Sequence, residues 1–278
     1  MRLLLVLMGL FLMVRLFSFA QDKPQPFEVS VLIDPVGLRA VSTASSGGSW
    51  EVSIHSSNWL MPDGKHRNGD LRIGRIVEKP EIDAWFGRLP ANSVVRLLVV
   101  DDKEAADGIE RYKLVSVLGV GDDAILNGIA SELAKTVTFE DDVFGTFTLD
   151  RQLDLFFAEV GADGERIQVS VTSSDDMPDR DELVLLKAFW AGWPRWDPRL
   201  REFAAEELIN MKQDAWLEEE EAPPTMIDFA SRMKPQDIGI NREGEFVVYY
   251  DDGDLFFGHS IVVEGTLAAG PTEASIQG

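Results

Sequence analysis

Residues 243–267, EGEFVVYYDDGDLFFGHSIVVEGTL, carry runs of Phe, Val, Tyr and Ile between polar residues, the composition of strands, whose side chains take opposite faces with a period of two. Two strand-like runs, residues 245–250 and 255–263, flank Asp252-Gly253, the dipeptide that suits a tight type I′ turn. The pattern predicts a long hairpin. It places Tyr250 opposite Leu255, Val248 opposite Phe257 and Phe246 opposite His259 on one face, with Tyr249, Val247, Phe256, Gly258, Ser260 and Val262 on the other.

Upstream, short strand patterns broken by turn residues cover residues 28–33, 50–55, 71–77, 94–100 and 111–118. Asp34-Pro35, the loop at 45–48, Pro62-Asp63-Gly64 and Asn68-Gly69 punctuate them, and residues 81–87 fit one helical turn. Five strands at this spacing predict a small sheet or partly open barrel over residues 27–121. Asp122 is positioned to cap a helix with Ile125, Leu126, Ile129 and Leu133 on one face, so residues 122–142 read as a bridging helix and acidic linker.

Strand patterns resume at 144–149, 153–160 and 167–171, and then the period changes to that of helices. Asp179 with Glu182 forms a capping-box pattern before Leu183, Leu186, Phe189 and Trp190, and Gly192 with Pro194 closes that helix. Asp197-Pro198 opens a helix of about five turns carrying Leu200, Phe203, Ala204, Leu208, Met211 and Ala215. Thr225 with Asp228 starts a short one stopped by Lys234-Pro235. Residues 143–267 thus predict a mainly antiparallel sheet with helices on one face, residues 268–278 a flexible tail, and the whole chain an α+β protein in two parts.

The run YYDDGDLFFGHSIVVEGTL, together with FGTFTLDR at 144–151 and WDPRLREFAAEELINMKQDAW at 196–216, resembles the bacterial family known as domain of unknown function 2262. The likeness spans about residues 112 to 267, and the aromatic-Gly-His-Ser-Ile run is its most specific part. It implies a fold; the family brings no established activity, cofactor or catalytic residue.

Charge narrows the partners. Lys and Arg number 26 against 48 Asp and Glu, a net −22, which repels phosphate backbones and anionic lipid and argues against nucleic acid. A basic protein or a cation fits such a field, as does simple solubility. Residues 1–20 read as a secretory signal peptide: Arg2, an apolar run over 3–14, and Ser18-Phe19-Ala20 as the cleavage motif, leaving Gln21 first and the mature chain at −24. Arg15 near the end of the apolar run departs from the usual pattern. Twelve uninterrupted apolar residues are short of the roughly 20 a membrane span needs, so no stable anchor is expected after cleavage and a periplasmic or secreted location is. Residues 21–26 are a polar spacer. With no cysteine there is neither disulfide nor thiolate ligand.

Candidate chemistry is sparse. Gly258-His259-Ser260-Ile261-Val262 resembles a nucleophile elbow, but Val262 replaces the second glycine, and neighbours on a strand face opposite ways, so His259 does not serve Ser260 as base. A buried His259 among hydrophobes is expected to fix register and needs a hydrogen-bond partner. Asp251, Asp252 and Asp254 crowd one turn without the spacing of a calcium loop. The runs 140–142, 175–176 and 218–221 read as solvated acids. His55, His66 and His259 lack metal-ligand spacing, so no metal is expected; Gly119-Val120-Gly121 reads as a turn, and no cofactor is expected. Trp193 and Trp196 flank Pro194 in an interhelical loop, either as an exposed docking anchor or, more simply, as core. The expectation is a non-enzymatic binding protein whose acidic surface recognises a basic partner, immunity-type proteins being one version; the alternative is a hydrolase with His259 and carboxylates gathered from separate loops.

Overall fold

The computed structural model describes residues 24–42, 49–102, 109–162 and 164–278. The leader at 1–20, its cleavage pair Ala20 and Gln21, and the loop at 45–48 lie outside the described residues.

The first body is a barrel. Strands β1 (Phe27–Leu32), β5 (Val94–Asp101), β6 (Glu110–Val120), β4 (His66–Val77) and β3 (Trp50–Leu60) neighbour one another in that order, and β3 returns to β1. Closure depends on β3 being long and bulged between Ser56 and Asn58. Its first half pairs with β2 (Leu38–Ser42) and its second half with β1, Ser30 opposite Leu60. The bulge also resets the inward parity, so Val52, Ile54 and then Trp59 all point inward to Val31, Ile73, Leu97 and Val99. A barrel expected to be partly open is thus closed, and among the described residues its one free edge is at β2. β2 is an extra strand, and Asn68-Gly69 lies within β4 instead of making a turn. A 3-10 turn at Lys79–Glu81 and helix α1 (Ile82–Arg88) match the expected helical turn.

Helix α2 (Ala124–Leu133) is capped by Asp123, whose Oδ1 accepts from the N–H groups of Ile125 and Leu126, and not by Asp122. Leu126 packs with Leu32 and Val94 at the barrel's end.

The second body is a sheet with helices on one face, as the pattern predicts. Its strand order is β15 (Gly270–Gln277), β14 (Ser260–Thr266), β13 (Glu245–Asp251), β12 (Lys234–Ile240), β10 (Glu165–Ser174), β9 (Leu155–Ala162), β8 (Gly145–Asp150), β7 (Thr138–Asp141), with the two-residue β11 (Met177–Pro178) on β10. Only β10–β12 is parallel among these pairs, because helices α3 (Arg180–Ala191), α4 (Trp193–Ala215) and α5 (Met226–Arg232) intervene between the two strands. Phe147, Phe156, Val169, Ile238, Val248 and Ile261 meet Phe189, Leu200, Leu208 and Phe229 in one core.

Several elements differ from their sequence reading. α4 begins at Trp193, with Pro198 inside it in the second turn, where only one backbone bond is forfeited. Segment 138–141, expected as linker, is a sheet strand hydrogen-bonded to β8. The tail after Ala268 is the edge strand β15, because Ala274 and Ile276 turn inward onto the core.

Candidate functional site

The central hairpin holds in its two strands and not in its turn. β13 and β14 pair Asp251 with Ser260, Tyr250 with Ile261 and Val248 with Val263, so residues 252–259 form an eight-residue loop where a two-residue turn was expected. Asp252 is the cause. It is 2% exposed, and its carboxylate accepts from the N–H groups of Asp254, Phe256 and Gly258 at 3.1, 2.6 and 3.2 Å. A buried carboxylate needs such donors, and here the loop wraps round to supply them. Gly253, Asp254, Phe257 and Gly258 accordingly take left-handed φ values. At Gly253 a Cβ would lie 2.5 Å from the Arg232 carbonyl oxygen, so no other residue fits.

The three acids of the loop therefore separate. Asp252 is internal; Asp251 and Asp254 are exposed, and Asp251 Oδ1 accepts from the Gly253 N–H at 2.9 Å. Among the described residues no group of three or more His, Cys, Asp or Glu is placed to hold a metal ion.

His259 is not within a strand and does not face Phe246, whose partner is Gly265. It closes the loop, half-buried, with its ring edge-on to Trp216 at 5.2 Å and Nδ1 2.5 Å from the Phe256 carbonyl oxygen. Trp216 also meets Phe256 and Phe257, and beneath it Lys212, fully buried, donates to the Trp216 carbonyl at 2.7 Å and to Glu221 at 2.6 Å. Phe257, in left-handed backbone, remains 54% exposed.

The acidic runs are exposed apart from the half-buried Asp141 and Glu221, and several of their members are ion-paired. Lys187 bridges Asp141 and Asp142, Arg151 grips Asp176, and Glu221 serves both Lys212 and Arg232. Trp193 is core, 4% exposed, and stacks on Trp190; Trp196 is half-buried and touches Phe189 and Phe246. The docking-anchor reading is lost for Trp193 and survives only at the exposed part of Trp196.

A second feature, unseen in the sequence, lies on the sheet face away from the helices. Strand pairing lines up Glu159, Gln168, Asp237, Tyr249, Val262 and Ser275 in one row across five neighbouring contacts. The next row runs Phe157, Ser170, Gly239, Val247, Glu264 and Glu273. Gly239 keeps a trough open, since a Cβ there would lie 3.3 Å from Val247 and 3.4 Å from the Ser170 hydroxyl. The cleft along it measures about 540 Å³ and is lined by Thr172, Glu264, Thr266 and Thr272 among others. Asp237, half-buried, has no hydrogen-bond or ion partner among the described residues, and burial alone pushes its carboxyl up to about 6. Glu264 and Glu273 are exposed, and neither carboxylate has a partner among the described residues. The legible signal for Asp237 was a single acid in the short strand 234–240, KPQDIGI; its isolation needed the neighbours.

The architecture is thus a closed barrel followed by a one-sided α/β sandwich layer, a mixed α+β class. Residues 141–276 match the family model described as an uncharacterised protein conserved in bacteria (DUF2262), in keeping with the resemblance read from the C-terminal half. No curated protein matches the chain.

Proposed function

We propose that this protein is an exported binding module whose helix-free sheet face captures a basic protein, an immunity-type neutraliser of a basic toxin being the specific form. The observation that carries the reading is the set of unpartnered carboxylates, Asp237, Glu264 and Glu273, around the half-buried Tyr249 and Val247. Half-buried without a partner, the Asp237 carboxylate costs stability in the free protein, and a lysine or arginine from a partner removes that cost, while the exposed Glu264 and Glu273 add attraction for the same cation. Charge distribution places the acidic excess in the same body. Residues 27–121 carry 11 Lys and Arg against 13 Asp and Glu, whereas residues 122–278 carry 12 against 34. The hydrolase reading has no matching support, because among the described residues no carboxylate hydrogen-bonds to the His259 ring.

The test is capture of the tagged protein from envelope and cytosolic fractions of its native cells, with mass spectrometry of the bound material and of the protein's own N-terminus. A stoichiometric basic partner, Gln21 at the N-terminus, and loss of that partner in the triple variant Asp237→Asn, Glu264→Gln, Glu273→Gln are the expected results. Retention of the partner by the triple variant would move the interface elsewhere, and an intact Met1 with nothing bound would remove both export and capture.

A further inference from the structure

Opposite the acidic sheet face, where α3 meets α4, a pocket of about 470 Å³ is lined by Ala188, Ala191, Gly192, Arg195, Trp196 and Arg199. Its floor is made of small side chains and its wall is an indole. Every side-chain polar atom in it is a donor: two guanidiniums and the Trp196 Nε1–H, the last without a hydrogen-bond partner among the described residues.

Both arginines, like Arg180 over the Phe139 ring, lack a carboxylate among the described residues. In a body with 34 acids, Arg151, Arg166, Arg201, Arg232 and Arg242 each hold a carboxylate. Arg195 and Arg199 hold none among the described residues, although they lie one turn apart on the same helix, a spacing at which like charges repel. Arg199 is nonetheless fixed in place. Its guanidinium lies 5.5 Å from the Trp196 ring centre and donates to the Ala269 carbonyl at 3.3 Å, and it fills the space left by Gly270, where a Cβ would come within 2.2 Å of it. Trp196 is equally fixed, wedged between Phe189 and Phe246 and lying 3.0 Å from where a Gly192 Cβ would be. A preorganised fork beside an indole and an apolar floor is complementary to an oxyanion carried on an apolar body.

We infer that this pocket binds a small organic carboxylate, its oxygens held by Arg195 and Arg199 and its apolar part against Trp196 and the Ala188–Ala191–Gly192 floor. This inference does not depend on the acidic-face reading.

Benzoate is the probe and inorganic phosphate the comparison. In the full mature chain labelled with ¹⁵N at tryptophan, the Trp196 Nε1–H signal, assigned through Trp196→Phe, is followed as each anion is added at fixed ionic strength. Benzoate is expected to shift that signal saturably, and Arg195→Ala and Arg199→Ala are each expected to weaken the affinity by about tenfold or more, the loss of a charge-assisted bond. Arg195 is exposed, so Arg195→Ala is expected to melt with the wild type and carries the test, whereas Arg199→Ala also gives up its bond to the Ala269 carbonyl and is expected to melt slightly lower. Absence of saturation, binding that survives in the double alanine variant, or phosphate binding as tightly as benzoate would each overturn the assignment, the last by reducing it to plain charge attraction.

Discussion

Asp237 turns burial into a measurable pH dependence. Its carboxyl titrates at about 6 in the fold against roughly 4 in an unfolded chain, so folding disfavours the charged form. The sign follows: no penalty below about pH 4, a penalty growing between 4 and 6, and the full penalty above. Asp237→Asn should therefore stabilise the protein by about 1–2 kcal/mol at pH 8 and leave it unchanged at pH 3.5, measured by denaturant melts at the two values. An equal gain at both would mean that charge is not the cause. Asp252 is the opposite case, an acid whose burial is answered by three backbone donors. Asp252→Ala is expected to cost about 3 kcal/mol, and Asp252→Asn, which retains an accepting oxygen, distinctly less. Equal losses for the two variants would assign the effect to volume instead of to the bonds.

At the scale of elements, local chemistry was legible and long-range geometry was not. The strands 94–101 and 145–150, the helix capped by Asp179, and Thr225 with Asp228 as a capping box are written in alternation, caps and spacing. Even the Asp179 box was only half right. Glu182 accepts from the Thr172 N–H at 2.7 Å and does not reach back to its own cap, so a helix residue is joined to a strand. The loop at 252–259 shows why the hairpin was misread. Asp-Gly is a turn signal, but a buried Asp252 that needs three donors outweighs it, and the register moves to put Ile261 opposite Tyr250. Edge strand β15 was hidden by composition: Gly, Pro, Thr and Ser look like tail until Ala274 and Ile276 find the core. Of the candidate sites, the loop acids and His259 were visible as residue types, while the Asp237 row and the Arg195–Arg199 pocket exist only after distant strands and helices meet.

At the scale of the molecule, one side chain bears on both bodies. Arg151, at the end of β8, donates from Nη1 to the carbonyls of Leu133 and Lys135, both at 2.8 Å, and pairs with Asp176 through Nε and Nη2. It thereby closes the C-terminal end of α2, the helix whose Leu126 packs on the barrel. Arg151→Ala is expected to cost about 1–3 kcal/mol and to raise amide exchange around residues 130–135 more than in the barrel strands. Uniform exchange changes across the chain would refute a local clamp.

The division of charge between the two bodies has a consequence for motion as well as for contact. A near-neutral barrel joined to a strongly acidic layer is an electric dipole on a molecular scale. A cationic surface some nanometres away exerts a torque on it, and the acidic end swings forward while the barrel trails. For the basic partner proposed above, orientation would then be settled during diffusion, and added salt would lengthen the search far more than it shortened the life of the pair once formed.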